Sequence, residues 1–259
     1  MFRRFTLAFA SACVLAGALN AADDPFCGKW KLNKEKSKIA GEQMKIQDLG
    51  GNKFKFTGGN DSDTVTADGT DQPIHYGRTM SLSVEGPTSL KMVFKKDGKV
   101  ISSMTHSLSA DGNTQTIKGT DTKPDGTTSD FEVTDKRVGS GSGWTGTWES
   151  TTVDFTSPDE WEIKPYGAHG LTFYTPAYQD TLSMNFDGKD YAEKGPNVPG
   201  GSVSSGKRAD PHTLEVTDKI KGKVIDHTRY EVSSDGNTLT LTVHETGQPN
   251  ALTIVYDKA

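Results

Sequence analysis

Short runs in which apolar and polar residues alternate fill most of the chain, and each run ends at a turn-forming pair or cluster. In the first half the apolar positions read Met44 and Ile46; Phe54 and Phe56; Leu90, Met92 and Phe94; Met104, His106 and Leu108. In the second half they read Trp161 and Ile163; Leu171 and Phe173; Leu214 and Val216; Thr228, Tyr230 and Val232; Leu239, Leu241 and Val243. Period two is the side-chain spacing of a β-strand, so each run predicts a strand with one buried and one solvated face. Asp-Gly pairs beginning at Asp68, Asp97, Asp111, Asp125, Asp187 and Asp235 separate the runs, and this pair suits the positive-φ geometry of tight hairpins. The pattern predicts an all-β chain of antiparallel, up-and-down strands. About eight such strands close into a barrel or stack as two facing sheets, and alternation alone does not choose.

The chain also repeats itself. Phe26-Cys-Gly28-Lys-Trp30 returns as Trp144-Thr-Gly146-Thr-Trp148. Gly98-Lys-Val-Ile101 and Ser109-Ala-Asp-Gly-Asn113 return as Gly222-Lys-Val-Ile225 and Ser233-Ser-Asp-Gly-Asn237. The spacing between copies widens along the repeat, which places an insertion in the Gly/Pro/Ser-rich stretch 195–206 of the second copy. Gly139-Ser-Gly-Ser-Gly143 has the composition of a flexible linker. The expected organisation is a signal peptide at 1–21, a first β-barrel at 25–138, a Gly/Ser linker at 139–143 and a second β-barrel at 144–259. Each barrel is expected to fold separately.

The Gly-x-Trp that opens each copy resembles the first-strand motif of the calycins, the lipocalins and fatty-acid-binding proteins. The resemblance implies two tandem calycin-like barrels, with Gly28 and Trp30 and then Gly146 and Trp148 as the structural motif, each Trp plugging a closed end. Phe26 to Leu32 and Thr253 to Ala259 are similar to the first and last strands of fatty-acid-binding proteins. The run from Gly28 to Ser37 also resembles the Gly-x-Trp-x-Leu-Asn-x-x-x-Ser opening of a group of exported bacterial proteins. Two departures bear on function. Ile254 stands where fatty-acid-binding proteins carry the Arg of an Arg-x-Tyr carboxylate clamp before Tyr256, and residues 33–43 leave room for one short helix at most.

Composition changes the picture modestly. Hydrophobic residues are 32% of 259, with 28 glycines, which fits lean cores between thin β layers and excludes an all-helical bundle. Lys plus Arg total 29 against 34 acidic residues, a net charge of −5, which argues against nucleic acid or an anionic membrane as partner. Arg3 and Arg4, the apolar run from Phe5 to Leu19 and the small pair Ala21 and Ala22 read as a secretory signal peptide, so the protein is expected to be exported, periplasmic or extracellular. That run is too short to span a bilayer, and no integral membrane segment is expected. Cleavage removes Cys13 and leaves Cys27 alone, with no internal disulfide available.

Candidate chemistry is sparse. Met104 and His106 share an inward face, where a thioether beside an imidazole suits copper or haem iron, although core filling is the simpler reading. Asp226 and His227 point to opposite faces of one strand. Asn60 to Asp63 with Asp68 begins like a calcium loop, but Val65 and Thr66 occupy positions that need a ligand and a glycine. No nucleophile elbow, zincin helix or phosphate loop occurs, and the alternation positions no two carboxylates as an acid/base pair. The protein is therefore expected to be no enzyme and to use no cofactor or metal. The expected function is binding or carriage of a small apolar molecule in the second barrel, lined by Trp161, Phe173, Tyr230 and Tyr256 and covered by the 195–206 loop. The alternative is a protein–protein interaction or structural module whose barrels are filled by side chains.

Overall fold

A computed structural model describes residues 24–156 and 160–259; the stretch read as a signal peptide, 1–21, lies outside the described residues. Strand β1 (Gly28–Leu32) is followed by β2 (Gln43–Gly50), β3 (Lys53–Gly58), β4 (Asp61–Thr66) and the short β5 (Gln72–Ile74). A 3-10 turn at His75–Gly77 leads to β6 (Arg78–Gly86), β7 (Ser89–Lys96), β8 (Lys99–Leu108), β9 (Thr114–Thr122) and β10 (Thr128–Ser142). Then come β11 (Thr145–Phe155), β12 (Glu160–Tyr166), β13 (Gly170–Thr175), β14 (Asp180–Met184) and β15 (Tyr191–Lys194). The chain ends with β16 (Ser202–Asp210), β17 (Thr213–Ile220), β18 (Lys223–Val232), β19 (Thr238–Glu245) and β20 (Leu252–Lys258). No helix among the described residues is long and apolar enough to cross a membrane.

These strands make two antiparallel ten-stranded sheets, one a closed barrel and one nearly closed, two strands more per barrel than the alternation predicted. Turn chemistry explains much of the meander. Asp97 and Gly98 both have positive φ, 50° and 76°, in a two-residue hairpin that sets Lys96 opposite Lys99, and Lys221 and Gly222 repeat this at 51° and 80° in the second copy. Ser109 and Ser233 each donate from the hydroxyl to the Asp two residues on, at 2.6 and 2.5 Å, so the repeated Ser-x-Asp-Gly-Asn is one turn used twice.

The strand pairings allocate the repeats differently from the expected boundaries. Strand β1, with the first Gly-x-Trp, does not pair within its own repeat. It fits between β12 and β20, setting Trp30 opposite Trp161 and Leu32 opposite Tyr256, and closes the barrel of β12 to β20. Strand β11, with the second Gly-x-Trp, pairs with β2 and β10 in the other sheet. Each copy's opening strand thus completes the other copy's barrel. The first barrel is β2 to β11; the second is β12 to β20 plus β1.

The 139–143 segment is corrected as well. Strand β10 continues through Ser142, turns at Gly143 (φ 54°) and pairs Ser142 with Thr145. Only Gly141 of its glycines serves close approach, since a Cβ there would run into the Thr145 carbonyl and the Arg137 guanidinium; Gly139 and Gly143 instead have positive φ and open space around them, and in β11 a Cβ on Gly146 would also meet the Arg137 guanidinium. That guanidinium donates to the carbonyls of Gly112, Gly143 and Thr145 and lies 4.2 Å over the Trp148 ring. In the second barrel Lys258 sits 5.0 Å over Trp30 in the same way. Both indoles are fully buried and donate to a carbonyl four residues back, Trp30 to Phe26 at 2.8 Å and Trp148 to Trp144 at 3.1 Å.

The segment between β1 and β2 crosses from the second barrel to the first. On it, the Gly41 and Glu42 amides donate to the Ser150 hydroxyl at 2.9 and 3.1 Å. Gln248 of the second barrel brackets Gln43, accepting from its amide at 2.8 Å and donating to its carbonyl at 3.0 Å.

Candidate functional site

The inward faces of β6, β7 and β8 carry a diagonal of thioethers. Met92 is directly opposite Met104, and Met80 sits opposite Phe94, one inward position along from Met92. Met44 enters from β2, so four of the six methionines in the chain line one cavity of about 370 Å³ in the first barrel. Phe56, Ile74, Phe94 and Ile117 complete its apolar wall. Such a volume falls in the range of small-molecule pockets, and flexible, polarisable thioethers suit a wall that adapts to its occupant.

One polar group lies deep among these side chains. His106, two residues beyond Met104 on the same face of β8, is 1% exposed and lines the cavity. A buried relay fixes its tautomer: Gln115 donates its amide to Asp135 at 2.7 Å, which leaves the Gln115 carbonyl oxygen to accept from His106 Nδ1 at 3.2 Å. Burial pushes the imidazole pKa down to about 4, so at neutral pH the ring is uncharged and Nε2 carries a bare lone pair. Nε2 has no hydrogen-bond partner among the described residues. Burial pushes Asp135 up to about 6.

The cavity is also lined by Asp61, Asp63, Ile74, His75 and Tyr76, beside the seam where the first barrel's sheet is left open. Strands β4 and β5 are the edges of that sheet, and side chains replace the missing ladder. Gln72 accepts from the Thr66 amide at 2.8 Å and donates to the Thr66 carbonyl at 2.6 Å. Beyond it His75 bonds Asp63, Tyr76 donates to Asp61, and Lys223 from the second barrel reaches Asp61 at 2.5 Å. Although burial opposes it, the Lys223 ammonium and Tyr76 hydroxyl hold Asp61 below the usual carboxylate range. Tyr76 is pushed up to about 12, by burial and then by Asp61. Val224, Ile225, Glu245 and Thr246 of the second barrel form the remaining wall. Asn60 to Asp63 is therefore a hairpin and clasp. Among the described residues no three His, Cys, Asp or Glu side chains are grouped to hold a metal.

The four rings expected to line a ligand site do meet, inside the second barrel. Trp161 lies 5.3 Å from Tyr256 and 6.1 Å from both Tyr230 and Phe173, and Phe173 lies 5.8 Å from Tyr230. Phe173, Tyr230 and Tyr256 are buried, and the rings fill one continuous core with Trp30, Leu214 and Leu239. The 195–206 insertion is loop only as far as Gly201; Ser202 begins β16, and the Val198 carbonyl accepts from Lys96 of the first barrel at 2.5 Å.

Toward the other end of that interior the alternation missed a carboxylate pair. Asp218 on β17 and Asp226 on β18 are cross-strand partners; Ser204 donates to Asp218 and Thr228 to Asp226. Burial and the facing Asp226 push Asp218 up to about 7. Glu245, opposite Asp226, is pushed up to about 7 by burial and by Glu42. Two facing carboxyls of this kind share a proton at neutral pH. His227, on the outer face, bonds the Thr217 hydroxyl at 2.9 Å. Cys27 is pushed up to about 11, chiefly by burial and then by Asp24, so its thiol stays protonated.

Sequence reasoning put Met104 and His106 on one inward face but did not find Met80, the Gln115–Asp135 relay or the Lys223 clasp. The clustering of scarce methionines at inward positions was the available signal. Comparison with protein-family models, with curated proteins and with solved structures returned no match to this chain.

Proposed function

We propose that the protein is an exported, non-enzymatic carrier of a small apolar molecule, built from two calycin-like barrels, whose cargo sits in the first barrel. The observation that carries this reading is the cavity of about 370 Å³ walled by Met44, Met80, Met92 and Met104. An apolar wall with few polar groups favours an apolar ligand, because every polar group taken into it must find a partner there. The second barrel supplies part of the cavity's wall and the clasp beside the seam, and its aromatic core favours a supporting role. Export is supported by the charged, apolar and small-residue segments at the N-terminus.

The test is a titration of residues 22–259 with fatty acids, retinoids and polyphenols, followed by tryptophan fluorescence and thermal shift. At least one class is expected to bind at micromolar concentration or tighter. Met104→Trp, which fills the cavity, should abolish binding, whereas Tyr230→Phe in the second barrel should leave it within about twofold. No binding below millimolar concentration by any class would overturn the reading in favour of a filled interaction module.

A further inference from the structure

His106 presents an acceptor that nothing among the described residues uses. Its Nδ1 is committed to Gln115, Gln115 is committed to Asp135, and the whole relay is buried. The relay holds the imidazole in the tautomer that leaves Nε2 without a proton of its own, and His106 is one of the residues lining the methionine-walled space. A buried acceptor without a partner is costly, and native interiors seldom retain one unless a ligand or water completes it. The cross-strand partners of His106 are the apolar Leu90 and Ile117, and an apolar residue in its place would remove the unused acceptor while leaving the buried Gln115 carbonyl oxygen without its donor.

We propose that the cargo of the first barrel is an apolar molecule bearing one hydroxyl or N–H group, and that this group donates to Nε2 of His106. The inference rests on the cavity being the carrier site and adds the chemical class of what it carries. A bare imidazole accepts a hydrogen bond but offers none, so it selects donors and gains nothing from ethers or hydrocarbons of the same shape. The low imidazole pKa keeps this acceptor available throughout the neutral range.

The experiment uses residues 22–259 and three probes of matched shape: 4-hydroxybiphenyl, 4-methoxybiphenyl and biphenyl, titrated by calorimetry at pH 7. The expected result is that 4-hydroxybiphenyl binds about tenfold tighter than either analogue, as one net hydrogen bond of about 1.4 kcal/mol requires. In His106→Leu the three should bind equally, with biphenyl no weaker than in the native protein. A readout independent of the variant's folding is the ¹⁵N resonance of His106 Nε2, which should move upfield with 4-hydroxybiphenyl and stay in place with biphenyl. Equal native affinities for all three probes would overturn the donor inference while leaving the carrier reading intact. Binding of none of the probes nor of the broader ligand panel would remove both. A parallel titration with Cu(I) under reducing conditions covers the remaining chemistry of a Met/His cluster. Stoichiometric Cu(I) binding that His106→Leu abolishes and that excludes 4-hydroxybiphenyl would reassign Nε2 as a metal ligand and overturn the proposal.

Discussion

Individual buried acids and the buried histidine act on stability with opposite signs. Asp218 and Glu245 are pushed up to about 7 and Asp135 to about 6, in each case first by burial. An unfolded chain releases those protons near pH 4, so between about pH 4 and 7 the folded state binds more protons and stability falls as pH rises. His106 works the other way. Its folded pKa of about 4 lies below the unfolded value near 6.5, so its contribution is lost as pH falls through that interval. The raw pH profile therefore mixes both barrels, and the Asp218→Asn difference isolates the second. That variant should gain thermal stability relative to the native protein as pH rises from 5 to 8, with little difference at pH 5; a gain that shrinks with rising pH would refute the assignment. Which residues point inward was legible from the alternation, as Met104, His106, Tyr230 and Trp161 show. Whether an inward face closes on solid packing or on open space depends on summed side-chain volumes across ten strands, and that quantity is absent from the pattern of any one strand.

At the scale of elements, the same letters serve different physical ends. Asp97-Gly98 was readable as a hairpin because its positive φ angles are a property of the two residues alone. The glycines of 139–143 were not readable, because glycine serves equally a flexible linker, the positive φ of Gly139 and Gly143, and the close approach of Gly141 to Arg137. The β4/β5 seam was equally hidden, since a strand edge closed by the Gln72 side chain has no signature in alternation. That seam borders the cavity. Side-chain bonds at an exposed seam break at far lower cost than a backbone ladder, so the seam is where the wall should open. Asp63→Asn combined with Tyr76→Phe weakens the His75 and Tyr76 bonds across it. Stopped-flow fluorescence should then show ligand association and release both several-fold faster, with the dissociation constant changed by less than about threefold. Unchanged rates would place the passage elsewhere.

The whole molecule is held together by an exchange that the repeat conceals. Internal similarity identifies equivalent strands, and it predicts equally well that β1 closes its own copy or the other one, because Gly28-Lys-Trp30 and Gly146-Thr-Trp148 offer the same edge and the same buried indole. The pairing is decided by the connections. Strand β11 is tied to β10 by the tight turn at Gly143, which commits it to the first barrel, and the gap it leaves between β12 and β20 is filled by β1. The first barrel is thus continuous in sequence, whereas the second needs a strand from the far end of the chain. Removing β1 exposes the edges of β12 and β20 and takes Phe26 and Trp30, both fully buried, out of the core. Deleting one buried aromatic costs about 3–5 kcal/mol, and the two together, about 6–10 kcal/mol, are of the same size as the 5–15 kcal/mol that a domain has. Residues 42–156 should therefore unfold cooperatively in urea as an isolated fragment, and residues 156–259 should lack a cooperative transition until a peptide of residues 24–38 is added. The peptide carrying Trp30→Ala should rescue poorly, because the buried indole and its bond to the Phe26 carbonyl go together. Cooperative unfolding of residues 156–259 alone would show that the second barrel closes without β1, and the exchange would then be an ornament of the chain rather than what joins its two halves.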